Sequence, residues 1–194
     1  GLVARLRAQA PRLTLSVLPV PASRQLEQLD AGMVSLLVGH FPQVREVHSQ
    51  LPLNESGFSC VFNPALIEVP LKPDLAALAS LPHIHTTYAG EPPGVVDRVF
   101  KAHGLTRQVV ARSAMPLSIP FVLKRSPLVA ILPDMLARMF AAHTDLRFEP
   151  LPVAGLSLPI SLVSHRRERS DPLIEFVARL LVESVEEWVA ASGA

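Results

Sequence analysis

One cysteine, Cys60, stands alone in 194 residues, so no internal disulfide can staple the chain. Gly1 to Pro11 lacks the long apolar core of a secretory signal, and a reducing cytoplasm is the simplest expected compartment. Charge of one sign is also missing. Eighteen Lys and Arg against seventeen Asp and Glu leave a net charge of +1, too little to draw the chain onto nucleic acid or an anionic membrane. The longest apolar runs, such as 33–39, fall far below the ~20 residues a spanning helix needs, which excludes a membrane partner. The nine glycines are scattered singly, with no G-x-G-x-x-G, no G-x-x-x-x-G-K-[ST] and no G-x-S-x-G. Phosphate cradles and hydrolase elbows are thereby unsupported. With no nucleophile–base pair or metal cluster at a recognisable spacing either, the expectation is no enzyme, no cofactor and no metal.

What the chain does have is apolar mass: 49% hydrophobic residues and a mean hydropathy of +0.33, enough for one core or two small lobes. Nineteen prolines spread along the whole length predict many short connections. Leu2, Val3, Leu6 and Ala10 recur at helical spacing until Pro11, predicting a helix over 2–10. Leu13, Leu15 and Val17 alternate with polar residues as a strand does, and Pro19 and Pro21 stop them. Ser23 is then placed to cap a helix that Gly32 closes, and Val34 to Val38 reads as the next strand. Strand, helix and apolar strand in succession predict a βαβ unit and a parallel sheet, hence an α/β fold.

Further strands are expected at Val44 to Leu51 and Phe58 to Phe62, before Pro64, Pro70 and Pro73 interrupt all periodicity as a crossover between lobes would. The α/β pattern then begins again. It predicts a helix at Asp74 to Ser80, a strand at His83 to Thr87, a helix from Gly94 to His103 closed by Gly104, and a strand at Arg107 to Ala111. A helix near Ile119 to Arg125, a strand at Leu128 to Leu132, a helix at Asp134 to Ala142 and a return strand at Leu156 to Val163 follow. Asp171 and Pro172 open the last helix as N-cap and first helical residue, and its stripe of Leu173, Phe176, Val177, Leu180, Val185 and Trp188 should be buried.

Four groups of residues carry chemistry that needs weighing. His83 and His85 share one face of a strand, but without C-x-x-C or an acidic neighbour they fit packed histidines better than metal ligands. Cys60 in an apolar strand fits a small hydrophobe. Arg166, Arg167 and Arg169 are interrupted by Glu168 and Asp171 and fit a solvated loop rather than a nucleic-acid patch. Ser23, Thr86, Thr87 and Ser118 lie at strand ends where helices begin; such hydroxyls either cap helices or meet an anionic ligand.

In order along the chain, RLRAQAP (5–11), QLDAGMVSLLVG (28–39), LPHIHTTY (81–88), VDRVFKAHGLTRQV (96–109), LVAILPDMLA (128–137), LPVAGLSLPISLVSHRR (151–167) and DPLIEFVARLL (171–181) resemble the regulatory half of a LysR-type transcriptional regulator. The resemblance implies the type 2 periplasmic-binding-protein fold, with two α/β lobes joined by two crossover strands. Lobe I would comprise 1–60 and 163–194, and lobe II 61–162. The family's first strand and its DNA-binding winged helix-turn-helix would precede residue 1, so any DNA contact would be made through that N-terminal domain. Ser164-His165-Arg166-Arg167 with Asp171-Pro172 is similar to the subgroup answering to aromatic inducers, with Ser164 where that subgroup commonly has tryptophan.

The same resemblance implies a small-molecule effector, aromatic or carboxylate, in the cleft between the lobes, beyond the carboxyl ends of the strands. The positions it assigns are Pro19, Val20 and Ser23; His40 and Phe41; Phe62; Thr86 and Thr87; Met115, Pro116, Leu117 and Ser118; and His165. It also implies a homodimer or tetramer, paired through the first helix and a helix of the second lobe. A periplasmic-type solute-binding protein of the same fold is the alternative, with an enzyme on an α/β scaffold behind it. Fold alone cannot supply a reaction.

Overall fold

The computed structural model describes residues 1–86 and 94–192. The chain divides into two compact units, residues 1–55 with 159 onward, and Ser56–Leu158. The sequence placed these boundaries a few residues later, at 60/61 and 162/163. The shift has a simple cause: Phe58–Phe62 pairs along its whole length inside the second unit's sheet, so the chain changes unit before that strand.

The second unit is a five-stranded mixed sheet in the order β5-β4-β6-β3-β7. Its strands are β3 (Phe58–Phe62), β4 (Pro82–Thr86), β5 (Gln108–Ser113), β6 (Val129–Pro133) and β7 (Arg147–Pro150). β4 runs parallel to β5 and β6, while β3 is antiparallel to β6 and β7. β3 and β6 are buried at every position, which is why they read as apolar runs, Ser59 being the one polar residue in them. Successive side chains point to opposite faces. Phe58, Cys60, Phe62, Val129 and Ile131 therefore join α3 (Leu75–Ala79) and α4 (Val95–Ala102) in one core; Val61, Ala130 and Leu132 join α5 (Ile119–Leu123) and α6 (Asp134–His143) in another.

Local chemistry fixes these helices. Asp74 Oδ1 accepts from the Ala77 N–H at 2.7 Å as the cap of α3. Gly104, at φ +69°, closes the turn after α4. Asp134 opens α6, donates its N–H to the Gly57 carbonyl at 3.0 Å and accepts from Ser59 Oγ at 2.5 Å. β7 was not expected from the sequence; it is a short edge strand, RFEP, with charges and a proline where alternation would have to show.

The first unit has a three-stranded sheet in the order β1-β8-β2, from β1 (Leu36–Gly39), β2 (His48–Ser56) and β8 (Leu158–His165). β1 and β8 are antiparallel, Leu37 opposite Val163 and Gly39 opposite Ser161. This overturns the βαβ expectation. Residues 13–17 are not a strand, because among the described residues no strand offers them a backbone partner; Leu13 and Leu15 pack inward while Val17 is 83% exposed. Strand β2 begins at His48 rather than Val44 and continues to Ser56, and β8 is shifted two residues later than expected.

Ser23 is likewise not a helix cap. It sits within a 3-10 turn, Ala22–Arg24, and α2 (Gln25–Asp30) follows with no side-chain cap. Gly32 does take the left-handed conformation, at φ +71°, after α2. α1 (Leu2–Gln9) lays Leu6 against Val177 and Leu180 of α7 (Pro172–Ser192), and Arg5 pairs with Glu183 at 3.0 Å and with Glu187. Asp171 caps α7 as expected, Oδ1 accepting from Leu173 N–H at 2.8 Å and Ile174 N–H at 3.3 Å. Leu173, expected inside, is 52% exposed because it lies in the first turn, ahead of the stretch that packs on α1. No helix among the described residues is long and apolar enough to cross a membrane.

Candidate functional site

The first unit carries an open depression of about 620 Å³ where the end of β1 meets β2 and β8. His40 and Phe41 follow Gly39 directly and form one wall. Phe41 is nearly buried, its ring packed with Leu29, Leu37 and Val163, so the wall is anchored in the core. His40 Nδ1 donates to the Pro159 carbonyl at 3.0 Å. Opposite lie Gln50 and Ser161: Gln50 Nε2 donates to the Phe41 carbonyl at 3.0 Å and to Ser161 Oγ at 3.1 Å. Leu53 and Glu55 continue the floor along β2.

Of the positions assigned from sequence, His40 and Phe41 line this depression. Gln50, Glu55 and Ser161 were missed. The usable signal was a pair of prolines, Pro52 in β2 and Pro159 in β8, which interrupt the ladder where the depression opens. Pro19, Val20 and Ser23 are on the segment before α2, where the Val20 carbonyl accepts from Gln25 Nε2 at 3.0 Å and Ser23 is exposed.

His165 belongs to a separate polar knot in the same unit. Its Nδ1 accepts from the Arg167 N–H at 3.1 Å, and its ring stands edge-on to His48 at 5.7 Å. His48 Nε2 donates to Asp30 at 2.6 Å, Asp30 also pairs with Arg45, and Arg166 Nε donates to the His48 carbonyl at 3.3 Å. Arg167 donates to the carbonyls of Leu29 and Asp30, both at 2.7 Å, satisfying the C-terminal end of α2. Arg166 and Arg167 thus form a clamp, while Arg169 stays exposed as a solvated loop would leave it. The clamp's signal was spacing to a helix end that sequence adjacency does not show.

In the second unit, Thr86 ends β4 and is buried, opposite Ser113 of β5. Ser113 Oγ bonds Ser118 Oγ at 3.1 Å, and Ser118 Oγ donates to the Met115 carbonyl at 2.7 Å, so this hydroxyl closes a local turn instead of capping α5. Pro116 opens the 3-10 turn Pro116–Ser118 between them. Met115 and Leu117 are 69% and 64% exposed, whereas Phe62 is a core residue at 5%. Thr87 lies outside the described residues.

His83 and His85 are both buried and serve packing. His83 Nε2 donates to the Leu78 carbonyl at 2.9 Å and its ring meets Phe100 edge-on; burial above all pushes its pKa down to about 4. Arg107 lies over the Phe100 ring at 5.5 Å, donates to His85 Nδ1 at 3.0 Å and pairs with Asp97. His85 is held below its ordinary pKa by burial first and by Arg107 next. No cluster of three His, Cys, Asp or Glu among the described residues is arranged to hold a metal. Burial pushes the Cys60 thiol up to about 12, which keeps it protonated and unreactive.

Residues 1–186 match the LysR substrate binding domain. Nodulation protein D 1 of Sinorhizobium fredii (strain NBRC 101917 / NGR234) is 27% identical over 150 residues, 77% of this chain and 46% of that protein. The HTH-type transcriptional activator NagR of a Ralstonia species is 24% identical over 188 residues, 96% of this chain and 62% of that protein. The chain therefore spans about half the length of the first of these relatives. Among solved structures, the regulatory domain of MexT, a transcriptional activator in Pseudomonas aeruginosa, shares the fold at a TM-score of 0.82 and 22% identity, over 94% of this chain and 90% of that one. The two α/β units are those of a type 2 periplasmic-binding-protein-like fold. Sequence fragments, fold and a match reaching from the first residue to residue 186 converge: the chain belongs to the LysR substrate binding domain family, the effector-binding domain of LysR-type transcriptional regulators.

Proposed function

We propose that this chain is the ligand-sensing part of a cytoplasmic transcription factor, and that it regulates without catalysing. The single observation that carries the reading is the family match over residues 1–186. The depression walled by His40 and Phe41 supports it, since it offers apolar walls with a few convergent polar atoms. In the first unit the proposed effector contacts are His40 and Phe41, in the depression, and Pro19, Val20, Ser23 and His165, outside it. Phe62, Thr86, Thr87, Met115, Pro116, Leu117 and Ser118 are those proposed in the second. Binding shifts the balance between conformations by the ligand's differential affinity for them. The exposed Val3 of α1 and the exposed Phe121 of α5 fit pairing of copies through the first helix and a helix of the second unit, in a homodimer or tetramer. DNA is contacted through a separate N-terminal domain.

A thermal-shift screen of the 194-residue chain against small aromatic and aliphatic acids, alcohols and amines tests the sensing role. A ligand at ~100 times its dissociation constant adds roughly 2.7 kcal/mol to stability, well within detection. Absence of any stabilising compound across that panel refutes the reading. Sedimentation showing a monomer at high concentration refutes the pairing.

A further inference from the structure

Helix α6 turns Ala137 and Phe140 into the core, and Met135, Met139 and His143 stay exposed. A solvent face of this kind ordinarily carries charged side chains. Here residues four apart stand one above the next, a column of two thioethers and an imidazole. His143 is its oriented member. The ring Nδ1 lies 2.8 Å from the Met139 carbonyl, and a carbonyl only accepts, so the proton sits on Nδ1. In the neutral ring Nε2 then keeps its lone pair, and the ring is held to the turn that bears Met139. An imidazole whose other N–H donates to a backbone carbonyl is prepared as a metal ligand: tautomer and ring direction are fixed and the donor nitrogen is made more basic.

Cβ atoms four residues apart on a helix are about 5–6 Å from each other, a gap that an imidazole and a thioether with three rotatable bonds close around one ion. Met135 is two turns, about 12 Å, from His143 and cannot share that ion with it. The donors are therefore one neutral nitrogen and one neutral, polarisable sulfur. Such a pair suits a soft monovalent cation, whereas calcium and magnesium want oxygen and zinc wants thiolate, imidazole or carboxylate. Arg138, next to Met139 in sequence, places its guanidinium over the Phe148 ring at 5.9 Å. We infer that Met139 Sδ and His143 Nε2 form a two-coordinate site for a soft monovalent metal ion, copper(I) or silver(I), on the solvent face of α6. The site is independent of the effector-sensing reading. Sequence spacing pointed to no metal because one donor is a thioether, which zinc-type patterns lack.

Two sets of controls are built into the chain. Met33 and Met115 are exposed but have no histidine within four residues, and His103 makes the same bond to the carbonyl four residues back, at 2.9 Å, where Val99 stands in place of a methionine. Titration of the 194-residue chain with silver nitrate in chloride-free buffer should move the Met139 methyl and His143 ring signals in NMR before those of Met33, Met115 and His103. Copper(I), supplied anaerobically against a competing chelator, should move the same signals, and zinc(II) should not. Met139→Leu should lower silver affinity about tenfold without changing the melt of the free protein, since the swap conserves volume at an exposed position. His143→Gln should lower it as well, and His103→Gln should not; if His143→Gln loosens the end of α6, Met139→Leu alone decides. Silver that moves Met33 or Met115 as strongly as Met139, or affinity unchanged in Met139→Leu because the ion sits on Cys60, overturns the assignment. Equal binding of zinc overturns its restriction to soft ions.

Discussion

The two units hold their elements together by different means. In the second, β3 and β6 are buried from end to end and apolar side chains from four helices cover both faces of the sheet. In the first, the buried apolar residues that cluster form two small groups, Leu29, Leu37, Phe41 and Val163 in one, Leu6, Val177 and Leu180 in the other. Polar ties do the rest: Asp30 with His48 and Arg45, Arg167 on the end of α2, Arg5 on α7. Apolar burial is non-directional and nearly indifferent to salt, whereas these ties are directional. The first unit thereby places its side chains by specific pairs, and its local openings should cost less free energy than those of the second.

Replacement of Phe100, 1% exposed between His83 and Arg107, tests the first half of that contrast. Phe100→Ala should cost about 4 kcal/mol, read from the denaturation midpoint. If Leu29→Ala in the first unit costs more, the contrast is wrong.

Acid should act next most strongly, and on the second unit. The unfolded chain takes up a proton on His83 near its ordinary 6.5, the folded one only near 4. The unfolded state therefore holds more protons in that interval, so this contribution to stability is complete above about pH 6.5 and shrinks as the pH falls toward 4. The loss should approach roughly 3 kcal/mol. Melts from pH 7.5 to 4.5 would show it, and a His83→Phe variant should show a flatter profile.

Arg167→Ala should cost about 1 to 2 kcal/mol by leaving the carbonyls at the end of α2 without their charged donor. Hydrogen exchange should rise in α2 and not in α4, which sharpens the contrast; equal changes in both would blur it. Asp171→Ala should have the smallest effect, about 1 kcal/mol, as loss of a helix cap seen as fraying of the first turn of α7.

The same contrast explains which parts of the structure could be read from residues alone. β3, β6, α4 and α6 were legible because their burial comes from mostly apolar runs or helical periodicity, signals local to the segment. Residues 13–17 alternate as a strand should, yet strandhood needs a partner backbone, and alternation cannot report one. β7 failed the other way: pairing with β3 makes it a strand despite its weak pattern. At the depression, His40 and Phe41 were visible through family resemblance. Gln50 and Ser161 were not, since their roles arise from a contact between residues 111 apart in sequence.

The tie between α1 and α7 sets where a mechanical pull on the chain would arrive. Leu6 is seated on Val177 and Leu180, and Arg5 reaches Glu183 and Glu187. Tension applied at residue 1 is therefore borne first by the contact of α1 with α7, a 21-residue rod, and by Leu36 of β1, the strand residue packed in the same cluster. A handle attached at that end would strip α1 from α7 in a separate, low-force event while the sheet stayed whole. Charge reversal of Glu183 would lower that first force and leave the later ones where they were.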